Sequence, residues 1–460
     1  MATRHAAIRD GRSNLAAQRI DVAVVGAGAA GLAAASQLRG KGLRVEVLEA
    51  RGRIGGRIFT HRDERAPFPV ELGAEFVHGD APETSRILER ARLSACEVRG
   101  EHWLAQSGAL RRTSFWKGVD RVLRRIDPND DDESVAAFLA RKPGGRSLAR
   151  QRRAAREFVQ GFYAADPERL SAHSVAAGDD ESPSEAASHA ARLVEGYDCV
   201  AARLARGLGA RLHLRASVTE IAWERGGAEL TVRSRSGRTR RIAARCAILT
   251  VPLGVLQARG DEPGGIRFRP DPPYIRRALG ALAMGSVMRL AFWVKEFPWQ
   301  RAAAASRDLQ LDHLSFLHLK RDPFRVWWTA YPLRRPVMVA WSGGPPAAEL
   351  SRRSRPEVES IALRSLAEGL GVSIRRVSSC VKEIWTHNWD ADPYARGAYS
   401  YPLVGGSEAA KSLARPVEST LFFAGEATDP EAAGTVEGAI ATGLRAARQV
   451  SALFRRKAGA

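Results

Sequence analysis

A β-branched run over 21–25, a cluster of glycines, an alanine-rich stretch with apolar residues at helical spacing, and a short apolar run over 44–48 follow one another near the start of the chain. Short β-branched runs beside glycine read as buried strands, and apolar positions three and four apart read as helix. The segment is therefore expected to be strand, turn, helix, strand. Residues 69–80 form a short apolar, glycine-bearing stretch that closes a first lobe. Helical spacing recurs over 83–93, 114–126, 133–140 and 149–165, so residues 81–195 read as mostly helical. The acidic run 127–133 reads as a loop between them and 178–188 as a linker. From Leu193 the pattern changes, with a helix over 199–208 leading into strand-like runs at 211–214, 217–223, 230–234 and 247–251. Further strands are expected at 284–295 and 326–331, a helix at 357–370, a buried strand at 421–424 and a last helix at 434–454.

The glycines of the first turn carry chemistry. Gly26, Gly28 and Gly31 form G-x-G-x-x-G where strand becomes helix. The first permits a tight turn, the second lets backbone approach a pyrophosphate, and the third lets helix and strand pack closely. Phosphates would rest on the helix N-terminus, where free N–H groups and the positive dipole end favour negative charge. Glu49 ends the second strand, about 20 positions beyond the glycines, where a carboxylate accepts hydrogen bonds from an adenosine ribose. Arg51 and Arg57 flank a second glycine turn, Gly55–Gly56, beside the same phosphates. Near the other end a strand closes on Gly425 and Glu426, a carboxylate placed for sugar-alcohol hydroxyls. The helix opened by Gly434 carries Gly438 and Gly443, which would let its first turns approach a flat ligand. An N-terminus aimed at the pyrimidine edge of an isoalloxazine would stabilise the charge of its reduced form.

Composition changes the picture in three places. A chain of 460 residues is too long for one core and suggests two domains. The net charge of +20 invites a nucleic-acid partner, but 63 of the 71 basic residues are arginine and they are dispersed along the chain, so none is expected. No run of about 18 apolar residues is present to span a membrane, and residues 1–19, with Arg4, Arg9, Arg12 and Arg19, read as a loose tail and not a secretory signal. Cys96, Cys199, Cys246 and Cys380 lack metal spacing and fit a reducing cytoplasm.

Four blocks, in order, resemble the flavin-dependent amine oxidases, the family of monoamine oxidases, polyamine oxidases and the lysine-specific histone demethylase. They are VVGAGAAGL with LEARGRIGGR, ELGAEFVHG, ILTVPLGVL, and ARGAYSY followed by FFAGEATDP and GTVEGAI. The likeness runs from Ile20 to about Val450 and is to a soluble, bacterial-type member. It implies an α/β fold of two domains, a discontinuous Rossmann-like FAD-binding domain (20–77, 196–262 and 396–460) and an α+β substrate domain (78–195 and 263–395). It implies that Glu49, Arg51, Gly56 and Arg57 hold the adenosine and phosphates. Gly73, Ala74, Glu75 and Phe76 would lie near the ring, Val218 would contact adenine, and Gly425, Glu426, Thr435 and Val436 would hold the ribityl chain and pyrimidine edge.

Departures from the family pattern narrow the expectation. Ala398 stands where monoamine oxidases carry the cysteine that bonds to flavin, so FAD is expected to be non-covalent. Tyr399 matches one cage tyrosine, but Thr435 stands where the second would be, as in the histone demethylase. His78 is similar to the histidine of polyamine and spermine oxidases. The lysine that holds a water against flavin N5 is matched by Arg289, which keeps charge and reach but has a planar fork and cannot deprotonate.

The implied reaction is oxidation of an amine C–N bond by hydride transfer to N5, hydrolysis of the imine, and reoxidation by O2, giving H2O2, or by another acceptor. The substrate must be a neutral amine. Trp389 and Tyr399 would wall the pocket, with His78 at its mouth. Two alternatives share the fold: a C–C dehydrogenase such as a desaturase or porphyrinogen oxidase, and a basic flavin-binding interaction protein with weak catalysis. The positive charge also opposes long-range steering of polycations.

Overall fold

The computed structural model describes residues 19–106, 108–114, 118–176, 189–300, 311–320 and 323–458. The linker expected over 178–188, residues 115–117 of the helix expected at 114–126, and the tail up to residue 18 lie outside the described residues.

The first of two large sheets has eight strands. Its parallel part runs Leu212–His213, Val45–Leu48, Ile20–Val25, Thr239–Leu249 and Leu421–Phe423 in space. Ile20–Val25, Val45–Leu48, Leu421–Phe423 and the end of Thr239–Leu249 are mostly buried and read as nearly continuous apolar runs, as parallel sheets do. The first half of the long strand Thr239–Leu249 leaves this part and pairs antiparallel with Gly227–Ser234, which pairs with Ala216–Glu224. Ile20–Val25 lies at the centre, so the carboxyl ends of the parallel strands, where open α/β sheets bind ligands, converge on Gly26, Glu49, Thr250 and Gly425.

Helix Ala29–Arg39 packs against the last helix, Val436–Ala458. A Cβ at Gly443 would sit 2.2 Å from the Ala30 carbonyl oxygen, and one at Gly438 2.2 Å from that of Ala432. These two glycines therefore serve contacts within the protein. The expectation that they admit a flat ligand is corrected.

The second sheet has seven strands, in the order Val381–Thr386, Val287–Val294, Val337–Gly343, Val326–Thr329, Leu314–Leu319, Glu101–Gln106 and Ala109–Arg112. Helix Arg355–Leu370 covers it and starts in a capping box between Ser354 and Glu357. Two corrections follow. Residues 81–195 are not mostly helical, since they also contain strands Ala95–Glu97, Glu101–Gln106, Ala109–Arg112 and Ala190–Leu193. Within Glu101–Gln106 burial has period two, with Trp103 and Ala105 buried, but its partner Leu314–Leu319 is more than 200 residues away. The expected helix at 114–126 shrinks, among the described residues, to Asp120–Leu123. Strand Arg267–Arg269 and helix Pro273–Gly280, although they follow residue 262, pack with the first sheet.

Candidate active site

One cavity of about 1720 Å³ runs from the glycine turns of the first sheet into the space beside the second. Glu49 and Glu426, 377 positions apart in the chain, both line it.

At the first end, the Glu49 carboxylate is buried and accepts the N–H of Ala27 and of Arg51, each at 2.8 Å. It thus ties the glycine turn to the end of the second strand, and each oxygen keeps a further lone pair. The three glycines differ in what surrounds them. A Cβ at Gly31 would lie 2.0 Å from the Gly26 carbonyl oxygen, whereas one at Gly28 would meet only the Gly55 oxygen, at 4.0 Å. Gly55 and Gly56 take positive φ (97° and 60°) and fold their turn onto Gly28. Arg51 donates to Asp392 at 2.8 Å. Burial would raise the Asp392 carboxyl, but hydrogen bonds from His387 and Arg51 outweigh it and hold it well below the usual range. Val218 lines the same cavity from strand Ala216–Glu224.

Glu426 organises the other half of the cradle. One oxygen accepts from Arg57 at 2.8 Å, and the other from the Ser400 hydroxyl at 2.7 Å and the Gly434 N–H at 3.0 Å. Arg57 also donates to the Ala398 carbonyl at 2.7 Å. Gly425 has φ of 132°, and a Cβ there would meet nothing within 4 Å. Thr435 accepts the Gly438 N–H at 2.9 Å, so it caps helix Val436–Ala458. Open space at Gly28 and Gly425, two carboxylates and a capped helix N-terminus fit a dinucleotide.

Beyond this cradle the walls turn aromatic. Phe76 lies 5.8 Å from Trp328 and 6.3 Å from Phe316, ring centre to ring centre. The Tyr399 hydroxyl donates to the Phe162 carbonyl at 2.6 Å, and burial, then Glu426, raises its phenol. A Cβ at Gly434 would lie 3.2 Å from the Tyr399 ring, so the ring sits against that turn. Trp389 is buried, donates to the Leu72 carbonyl at 2.9 Å and packs edge-on to His387. Burial pushes His78 down to about 4, which leaves it neutral, and its Nδ1 makes no hydrogen bond.

Arg289 points inward and is buried. Its guanidinium donates to Glu75 at 2.5 Å and to the Gly73 carbonyl at 3.3 Å, and lies 5.4 Å from the Trp328 ring. Glu75 also accepts from Arg192 at 2.6 Å and from the Trp328 indole at 3.1 Å. Burial alone would raise the Glu75 carboxyl, but the two guanidinium groups hold it below its usual range. The sequence reading gave Glu75 only a place near the ring. Its partner Arg192 went unseen, as did Trp328, Phe316, Asp392 and the pair His102 and His318, whose ring nitrogens are 3.0 Å apart. The signal available for the aromatics was alternation in the strands of the second sheet. For Arg192 there was none, because its partner lies 117 positions away.

A nucleotide cradle at the carboxyl ends of a parallel sheet, continuous with an aromatic chamber, defines a two-unit α/β oxidoreductase that works with a bound dinucleotide. Residues 29–115 and 102–451 match the family described as flavin containing amine oxidoreductase, and the chain belongs to that family. It is 29% identical to polyamine oxidase 2 of Arabidopsis thaliana, over 93% of this chain and 87% of that one. It is 26% identical to the human lysine-specific histone demethylase 2, over 94% of this chain and 53% of that one. Its fold is similar to putrescine oxidase bound to putrescine (TM-score 0.77, 22% identity, 94% of this chain and 99% of that one). It is similar also to cyclohexylamine oxidase from Brevibacterium oxydans (TM-score 0.76, 20% identity, 95% and 100%). The chain is a flavin-dependent amine oxidase with FAD as cofactor. No helix among the described residues is long and apolar enough to cross a membrane.

Proposed function

We propose that the enzyme oxidises the C–N bond of an amine that binds in neutral form in the chamber bordered by Tyr399 and Phe76, and that the imine product hydrolyses in water. FAD, held without a covalent bond, would supply the hydride acceptor at N5, with reoxidation by O2, giving H2O2, or by another acceptor. The observation that carries this reading is the single cavity lined by Glu49, Glu426, Phe76 and Tyr399 together. In this reading Gly26, Gly28, Gly31, Glu49, Arg51, Gly56, Arg57 and Val218 hold the adenosine diphosphate part. Gly73, Ala74, Glu75, Phe76, Gly425, Glu426, Thr435 and Val436 surround the ring and ribityl chain.

The residues of the chamber do three things. Aromatic walls remove water, which favours loss of the substrate proton, since an alkylamine with a pKa of about 10.4 is neutral to only on the order of one part in a thousand at pH 7. Neutral His78, which lines the cavity, offers a ring nitrogen as an acceptor for the amine N–H. Arg289, held by Glu75, keeps a fixed positive charge that cannot leave as a proton. Trp389 shapes the wall between the chamber and the arginines of the cradle. The four cysteines, none in a disulfide among the described residues, support a reducing, cytoplasmic setting.

Anaerobic mixing of the yellow protein with a panel of amines tests the reading. Loss of the flavin absorbance with aldehyde and ammonia as products is expected. Flavin that no amine bleaches, or a desaturated hydrocarbon as product, would overturn it. Arg289→Lys is expected to keep amine-dependent bleaching and to change the rate at which air restores the colour, which stopped flow reads directly.

A further inference from the structure

The cavity carries a charge pattern that amine oxidation does not require. Among the described lining residues of segments 78–195 and 263–395, Glu157 is the one carboxylate, and Arg325 pairs with it. Arg111, Arg121, Arg150, Arg153 and Lys320 also line the cavity, are exposed, and make no ion pair with any described residue. From outside these segments exposed Glu408, paired with Lys411, and exposed Glu431 also line the cavity, so the one-sided charge belongs to the part of the rim that these segments form.

The fold gathers the rim from four places. Arg150 and Arg153 are three positions apart on helix Ala149–Phe162 and share a face. Arg121 comes from Asp120–Leu123, which packs on that helix. Arg111 stands on strand Ala109–Arg112, and Lys320 follows strand Leu314–Leu319, both joined through Glu101–Gln106. Deeper in, the Glu75 carboxylate is shared by the guanidinium groups of Arg289 and Arg192. Arg289 is opposed by Glu75, and burial pushes His78 and His102 down to about 4 and His318 to about 3. The walls between are the rings of Phe76, Phe316 and Trp328.

We infer that the substrate is an amine carrying an anionic group, a carboxylate or phosphate, separated from the reacting C–N bond by an apolar spacer. The amine end lies in the neutral aromatic interior and the anion meets the unpaired cations of the rim. An α-amino acid does not fit this pattern, because its carboxylate would sit beside the amine, where the Arg289 guanidinium is already bonded to Glu75. A polyamine would bring further positive charge to a positive rim, which lowers both encounter rate and affinity. The inference rests on the amine-oxidase reading and adds the substrate class to it.

Hexylamine, 6-aminohexanoate and 1,6-diaminohexane share one spacer and differ in charge at the far end. Anaerobic flavin bleaching by each, as a function of concentration, yields a limiting rate and a dissociation constant. The expected order of affinity is 6-aminohexanoate, then hexylamine, then the diamine, with steps of about tenfold at low salt that shrink as ionic strength rises. Arg150→Glu with Arg153→Glu should reverse the order and leave the limiting rate for hexylamine unchanged. Lys320→Glu should do the same more weakly, and an unchanged Tm shows that each variant is folded.

Equal or tighter binding of the diamine by the unaltered enzyme overturns the inference while leaving amine oxidation intact. If none of the three bleaches the flavin, binding of unreactive hexanoate by equilibrium dialysis decides. Binding that the double variant loses supports the inference, and no binding overturns it. A rim that retains a DNA oligonucleotide and is indifferent to the charge of the small amines also overturns it, in favour of a nucleic-acid surface.

Discussion

At the nucleotide end of the cavity the carboxylates have their partners. Glu49 is held by two backbone N–H groups, and Glu426 by Arg57, Ser400 and the Gly434 N–H. At the chamber end the buried histidines are neutral, the aromatic rings pack on one another, and exposed cations without an ion-pair partner among the described residues stand at the rim. The first end is polar, and its two carboxylates are held by hydrogen bonds within the protein. The second withholds charge from its interior, which suits a ligand that has to shed a proton before it reacts. The cluster of Glu75, Arg289 and Arg192 stands at the boundary, where charge is buried beside the chamber.

Breaking that boundary should have the largest effect. Glu75→Gln leaves two buried guanidinium groups without their counter-charge, and loss of one partner from such a network costs about 3–5 kcal/mol. A drop in Tm of many degrees is expected, and an unchanged Tm would show that water already screens the cluster. Gly31→Ala breaks the nucleotide end instead. Its Cβ would sit 2.0 Å from the Gly26 carbonyl oxygen, and overpacking of this kind costs roughly 3 kcal/mol. FAD titration should show about 100-fold weaker binding, while amines of different charge keep their rank order in whatever holoenzyme can be formed.

Acidity separates the two ends more gently. His78 and His102 fall to about 4, and His318 to about 3, from an ordinary 6.5, because burial penalises the charged ring. The unfolded chain therefore binds more protons than the folded one between these values. The contribution to stability is complete above pH 6.5 and is lost as pH falls through about 4. Tm measured across this window should decline towards acid, and His78→Gln should flatten the decline. The smallest effect is expected from Thr435→Ala. It removes the cap of helix Val436–Ala458 at a cost of about 1 kcal/mol, visible as a small fall in Tm with the FAD spectrum little changed.

The nucleotide end was legible because its signals are local. Gly26, Gly28, Gly31 and Glu49 lie within one strand, turn, helix and strand, where spacing alone carries the stereochemistry. The chamber was legible only in part. Tyr399, Phe76 and His78 came through motif resemblance. The charge cluster at Glu75 was hidden, since Arg192 and Arg289 are 117 and 214 positions from it. Helical spacing also misled over 81–195. Strand Glu101–Gln106 there gains its identity from a partner in the second half of the chain, and Ala190–Leu193 from strands near residues 76 and 95.

By itself the sequence determined the glycine turn after the first strand, the two carboxylates that follow two short apolar strands, and a family whose chemistry is amine oxidation. Only the tertiary structure decided that the guanidinium of Arg289 is bound to Glu75 and that scattered arginines converge on one rim. The physical reason is range. Backbone conformation follows from neighbours in the chain, whereas the charge a group carries and the partner it meets depend on burial and on strands brought together from far apart.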